Sequence, residues 1–169
     1  MSKAFLRESD SEELPEPPRP AATLPPGAKN LLTAAGARRR REELDRLTGE
    51  ERPEVAARAA AGSTDARLEL QALDQRIRQL QAILQSAEIV PLTAGPKTVV
   101  RFGDAVTVRD ATGAQMRHHI VGVDEIDFET DAVSWQSPLA RALLNARVGE
   151  RVSLQAPAGR ITLDILAID

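Results

Sequence analysis

The chain has 169 residues, with 22 Lys and Arg against 25 Asp and Glu for a formal charge of −3, and it holds no cysteine and no tyrosine. That length suits one ordinary domain or two small ones. Lack of cysteine excludes a disulfide framework, a thiolate metal site and a cysteine nucleophile. The two histidines, His118 and His119, leave little for a zinc site or a histidine-based triad. The 2% of aromatic residues argues against stacking platforms for single-stranded nucleic acid, and the near-neutral charge argues against a general nucleic-acid binder. No apolar run is long enough to span a membrane, and the first ten residues lack an apolar signal core, so a soluble cytoplasmic protein is expected.

Residues 1–28 carry six of the eleven prolines (Pro15, Pro17, Pro18, Pro20, Pro25 and Pro26) and the acidic residues Glu12, Glu13 and Glu16. So little apolar surface cannot offset chain entropy, and a disordered tail is expected there. Residues 30–90 read as an antiparallel coiled-coil hairpin. Thr33 is positioned to cap a helix running through Arg38, Arg39, Arg40 and Arg41, then Leu44 and Leu47. Gly49 and Pro53 predict a kink near residues 50–53. After an alanine-rich stretch, Gly62 followed by Ser63-Thr64-Asp65 is a helix stop beside a helix start, the pattern of a tight helical hairpin. On the second arm, Leu70, Leu73, Ile77, Leu80, Leu84 and Ala87 form a heptad seam, facing a weaker one through Leu44, Leu47, Val55 and Ala59.

Residues 91–97, with Pro91, Gly95 and Pro96, read as a linker. Beyond it the period changes to two, and strands are expected at 98–101, 105–109, 115–123, 132–135, 151–156 and 161–168. Ser137 and Pro138 open one short helix with Leu139, Ala142 and Leu143 on its apolar face. The expected class is α+β, a helical hairpin followed at 98–169 by an antiparallel sheet with one helix against it.

The sequence contains no Gly-rich phosphate loop, nucleophile elbow or metal-ligand spacing. The acidic run Asp124, Glu125, Asp127, Glu129 and Asp131 lacks the glycine and closing glutamate of a calcium loop and reads as a solvated turn. His118 and His119 point to opposite faces of a strand and do not chelate together. The four consecutive arginines, 38–41, read either as a solvated face or as a basic patch for a phosphate backbone or an acidic partner.

Several segments resemble the bacterial Gre transcription elongation and transcript-cleavage factors. These are Val123-Asp124-Glu125-Ile126, the run Ser137-Pro138-Leu139-Ala140-Arg141-Ala142-Leu143-Leu144, Val148-Gly149-Glu150 and Ala156-Pro157-Ala158-Gly159. Leu24-Pro25-Pro26-Gly27 and Glu51-Arg52-Pro53-Glu54-Val55 extend the match, and Met1-Ser-Lys-Ala-Phe with Arg7-Glu8-Ser9-Asp10 looks like the leader of GreB-type members. The resemblance implies an FKBP-like C-terminal domain that docks at the rim of the RNA polymerase secondary channel. It further implies a finger reaching the polymerase active site, with nascent RNA in the complex. By the same resemblance, Gln136, Ser137, Pro138, Leu139 and Arg141 form the docking surface. The family's tip carries acidic residues that help hold a catalytic Mg²⁺.

This tip departs from that pattern: Asp65 and Glu69 are the only carboxylates near it. Against the family the hairpin is about ten residues short, which removes about five residues per arm, or about 8 Å of reach. Magnesium ligands sit at about 2.1 Å, so side-chain adjustment cannot make up that distance. The expectation is a monomeric, non-catalytic polymerase regulator with no cofactor or metal of its own and no membrane partner. Two other readings stay open: a cleavage-stimulating factor that uses Asp65 and Glu69, and a coiled-coil adaptor for a partner other than polymerase.

Overall fold

The computed structural model describes residues 24, 27–92, 95–157 and 159–169. Nearly all of the expected N-terminal tail, and Thr93 and Ala94 of the expected linker, lie outside the described residues.

The first strand, β1 (Asn30–Thr33), leads into α1 (Ala34–Arg46), with the Thr33 side chain accepting a hydrogen bond from the Gly36 N–H as the sequence predicts. A π-turn over Leu47–Glu51 joins α1 to α2 (Arg52–Ala60) without breaking the arm. This is where a kink was expected. Pro53 has no N–H to offer and would crowd the carbonyl four residues earlier, so the ladder widens, and the Arg52 N–H bonds to the Leu47 carbonyl. The extra residue has a packing consequence. Leu47 and Val55 are eight residues apart, about 80° out of phase in a regular α-helix. Widening the turn brings both onto the buried face, at 5% and 3% exposure.

At the tip, Gly62 adopts φ +102°, and the Ser63 side chain accepts from the Ala66 N–H to cap α3 (Thr64–Ser86). Only glycine takes that left-handed conformation without strain. Two small clusters hold the arms together: Val55, Ala59 and Ala66 near the tip, and Leu47, Ile77 and Leu80 in the middle. The buried seam of α3 runs through Ala66, Ile77, Leu80 and Ile83, with Leu70 and Leu73 flanking it. At its C-terminal end the expected Leu84 gives way to Ile83, which packs against Leu32 and Ala37 at the base of the arms. There β2 (Ala87–Val90) follows α3 and pairs in parallel with β1, from Asn30 opposite Ala87 to Thr33 opposite Val90. This two-stranded unit was absent from the sequence reading.

The C-terminal portion is built on β3 (Ala105–Asp110), β4 (Gln115–Val121), β5 (Ala132–Ser134), β6 (Arg151–Ala156) and β7 (Gly159–Ile168), in the order β5-β4-β3-β7-β6. The expected antiparallel sheet is in fact mixed, because β5 runs parallel to β4. The intervening residues 122–131, opening on a 3₁₀ turn at Val123–Glu125, carry the chain back to the starting end of β4, as a parallel pair requires. The strand expected at 98–101 reduces to a single bridge between Val99 and Arg147. α4 (Pro138–Leu143) covers one face, and Ala140 and Leu143 join Val100, Val106, Val108, Ile120, Leu163 and Ile165 in the largest apolar cluster. Among the described residues, no helix is long and apolar enough to cross a membrane.

The middle of the finger depends on Leu80, which is fully buried against Leu47 and Ile77. Leu80→Ala is expected to cost about 2–5 kcal/mol in urea unfolding. A loss below about 1 kcal/mol would show that the two arms are not packed along this seam.

Candidate functional site

The sequence points to the tip, to α4 and to the arginine run. At the tip, Asp65 is exposed in the first turn of α3, where a carboxylate complements the helix dipole. Glu69, one turn on, is held across the hairpin by Arg58, with Nη2 to Oε2 at 2.8 Å. Both partners are about half exposed, at 51% and 49%, so the pair contributes little to stability. It does occupy one of the two carboxylates near the tip. Among the described residues, no cluster of His, Asp and Glu has the makings of a metal site.

α4 is fixed at its entry. The Ser137 N–H donates to the Ser134 carbonyl at 2.8 Å, and the Ser137 hydroxyl accepts from the Ala140 N–H at 3.1 Å. Pro138 occupies the first turn, where its missing N–H costs nothing. Leu139 packs against the main core, which leaves Pro138 and Arg141 exposed and Gln136 and Ser137 half-buried at the helix entry. All five candidate docking residues therefore share one rigid corner.

The arginine run does not form one basic patch. Arg38 and Arg41 are exposed, with Arg38 3.9 Å from Glu42. Arg39 reaches Glu129 at 3.4 Å and lies over the Phe128 ring. Arg40, by contrast, is buried at 4% exposure. Four consecutive helical positions point in four directions, and the one facing inward meets the C-terminal portion. Arg40 Nε donates to the Asp124 carbonyl at 3.0 Å, Nη2 to the same carbonyl and to Asp127 at 2.7 Å, and Nη1 to Glu43 at 2.9 Å. Its guanidinium lies 4.3 Å from the Phe128 ring centre, a favourable cation–π arrangement.

Beside it sits a second buried charge. Glu125, read from sequence as part of a solvated turn, is 2% exposed. Its carboxylate accepts from the Thr33 N–H at 3.0 Å, from the Thr33 hydroxyl and from the Gly122 N–H at 2.8 Å. A Cβ at Gly36 would overlap this carboxylate. Arg40, Glu125, Thr33, Gly36 and Phe128 thus form a joint between the helical arms and the sheet that the sequence reading missed. The available signals were a glycine inside a helix, which costs about 1 kcal/mol against alanine without a packing reason, and one of only three phenylalanines placed in the acidic run.

Glu43 links this joint to the second arm, because its other oxygen takes Arg76 of α3 at 2.6 Å. Burial works to raise the Glu43 pKa, but hydrogen bonds and charge from Arg76 and Arg40 outweigh it and hold the net value below the ordinary glutamate range. Asp124 shifts the other way, raised by burial against the opposing charge of Arg40.

Residues 95–169 match the family model described as transcription elongation factor, GreA/GreB, C-terminal. The transcription elongation factor GreB of Neisseria meningitidis serogroup A is 36% identical over 153 residues, covering 83% of this chain and 94% of that protein. The chain belongs to the GreA/GreB family. GreA of Thioalkalivibrio sulfidiphilus is 35% identical, covering 83% of this chain and 98% of that protein. The crystal structure of GreA factor homolog 1 (Gfh1) of Thermus thermophilus is 29% identical over 84% of this chain and 99% of that one, with a TM-score of 0.38.

Two outcomes are expected from the joint. Gly36→Ala lowers stability by about 1–3 kcal/mol in urea unfolding, because a pinned Glu125 cannot step aside. Helix propensity alone would give a gain, so a more stable variant would refute the close packing. For Glu43, a depressed carboxylate pKa contributes stability above its unfolded value that is lost as pH falls through the folded value. Glu43→Gln is accordingly expected to be less stable than the parent near neutrality and to converge on it below about pH 4, in unfolding curves measured across that range.

Proposed function

We propose that this family member docks on RNA polymerase at the rim of the secondary channel and modulates elongation or initiation without stimulating transcript cleavage. The observation that carries the proposal is the tip. Asp65 and Glu69 are its only carboxylates, and Glu69 is already engaged by Arg58. Metal-assisted hydrolysis of RNA needs ligands free to reach the ion and a base placed beside the attacking water. Glu69 could leave Arg58 at little cost, so the reading rests on reach: on arms shortened as the resemblance implies, neither Asp65 nor Glu69 is placed beside the ion.

The docking half of the proposal rests on α4. Its capped, core-anchored frame leaves Pro138 and Arg141 exposed, with Gln136 and Ser137 at its entry. A surface held this rigidly loses little conformational freedom on binding. No residue of this chain reacts on the proposed reading. It is a regulator of another protein's active site and works by occupying space in the channel.

The deciding assay incubates backtracked elongation complexes with the protein and follows the length of the labelled RNA. No shortening above the polymerase's own rate is expected, together with competition against an intact cleavage factor of the family. Cleavage that disappears in Asp65→Ala would overturn the non-cleaving reading. Failure both to bind polymerase and to compete would overturn docking and favour a coiled-coil adaptor.

A further inference from the structure

Arg40 is the one buried cation among the described residues, and it touches neither the tip nor α4. Its fork instead meets three parts of the molecule. On its own arm it binds Glu43, whose other oxygen is held by Arg76 of the second arm at 2.6 Å. On the C-terminal side it binds the Asp124 carbonyl, and Asp127 at 2.7 Å. The Phe128 ring lies against its face. Lysine cannot reproduce this arrangement, because an ammonium lacks the planar fork that bonds in fixed directions and stacks on a ring.

The position of this group gives it leverage. α3 has 23 residues and extends about 34 Å, so a rotation of about 15° at the base displaces the tip by about 9 Å. We infer that Arg40 is a positioning residue: it sets the direction of the helical finger relative to α4, and with it the effect of the protein on transcription, while contributing nothing to attachment. This rests on the docking reading above for its consequence in transcription. The geometric part stands without it.

The sequence has no cysteine, so two introduced thiols can carry spin labels specifically. Arg67→Cys lies beside the tip and Ala111→Cys in the β3–β4 turn, both exposed. With Arg40 intact, one narrow distance distribution between the labels is expected. Arg40→Met shifts or broadens it. Arg40→Lys keeps the charge, changes the distribution in the same direction by less, and serves as the reading should Arg40→Met fail to fold.

Titration of unlabelled variants into transcribing polymerase supplies the second readout. Half-saturating concentration is expected to stay at the parent value, while the effect at saturation falls in Arg40→Met, since a redirected finger no longer fills the same part of the channel. Distributions identical to the parent in both variants would overturn the inference. So would a raised half-saturating concentration with full effect at saturation, which would make Arg40 a binding residue. A parent chain that does not bind polymerase overturns the docking reading alone, because the label distances still decide the joint.

Discussion

The geometry of the molecule depends on one buried carboxylate. Removing a charge from water costs several kcal/mol unless donors replace the lost hydration. Glu125 finds three donors, and two of them are backbone N–H groups from the two sides of the joint: Thr33 at the entry to α1 and Gly122 at the entry to the 3₁₀ turn. Each of those groups would otherwise be an orphan at a helix terminus. Thr33 serves twice, since its hydroxyl donates to Glu125 and accepts from the Gly36 N–H. Capping of the helix and attachment of the helix to the sheet therefore share one side chain.

From that joint the two portions diverge in how they are stabilised. The sheet has one continuous core, with Val100, Val106, Val108, Ile120 and Leu143 fully buried. The finger has only small clusters strung along it, and at the tip Val55, Ala59 and Ala66 bury little area. Cross-arm ion pairs such as Arg52–Asp74 and Arg58–Glu69 lie at the surface, where each contributes about 0–1 kcal/mol. Local opening should therefore cost least at the tip and most at the base. The tip of the finger is the most adaptable in packing, while the base that joins it to the sheet is the least adaptable.

Legibility from sequence followed the range of the interaction. Caps at Thr33, Ser63 and Ser137, the stop at Gly62 and most of the α3 seam were readable, because each is written within one or two turns of chain. The joint was not, since Thr33 and Glu125 are 92 residues apart and leave no periodic trace. Arg40 was hidden by its neighbours: four arginines in a row look like a surface, and nothing local marks the one that faces inward. Pro53 announced a break, yet the chain absorbed it as a π-turn because the seam on both sides had to stay in register with α3. The parallel pairing of β5 was equally out of reach, as period-two patterning gives a strand its faces but not its direction.

A fixed joint also bears on the proposed loss of cleavage. A shortened finger on a loose hinge could swing toward a distant ion and recover part of its missing reach. Here the arms are held by Arg40 and Glu125 on one side and by the Glu43–Arg76 pair between them. Swinging would strand a buried carboxylate and a buried guanidinium together, and breaking a buried ionic contact costs about 3–5 kcal/mol. On the proposed reading, that penalty opposes any gain from bringing the exposed Asp65 toward a metal held in the polymerase. On this view, length and rigidity act together, and restoring the family's acidic residues on arms of the present length would not restore cleavage. The carboxylates would be present in number, but the joint would still hold them short of the ion.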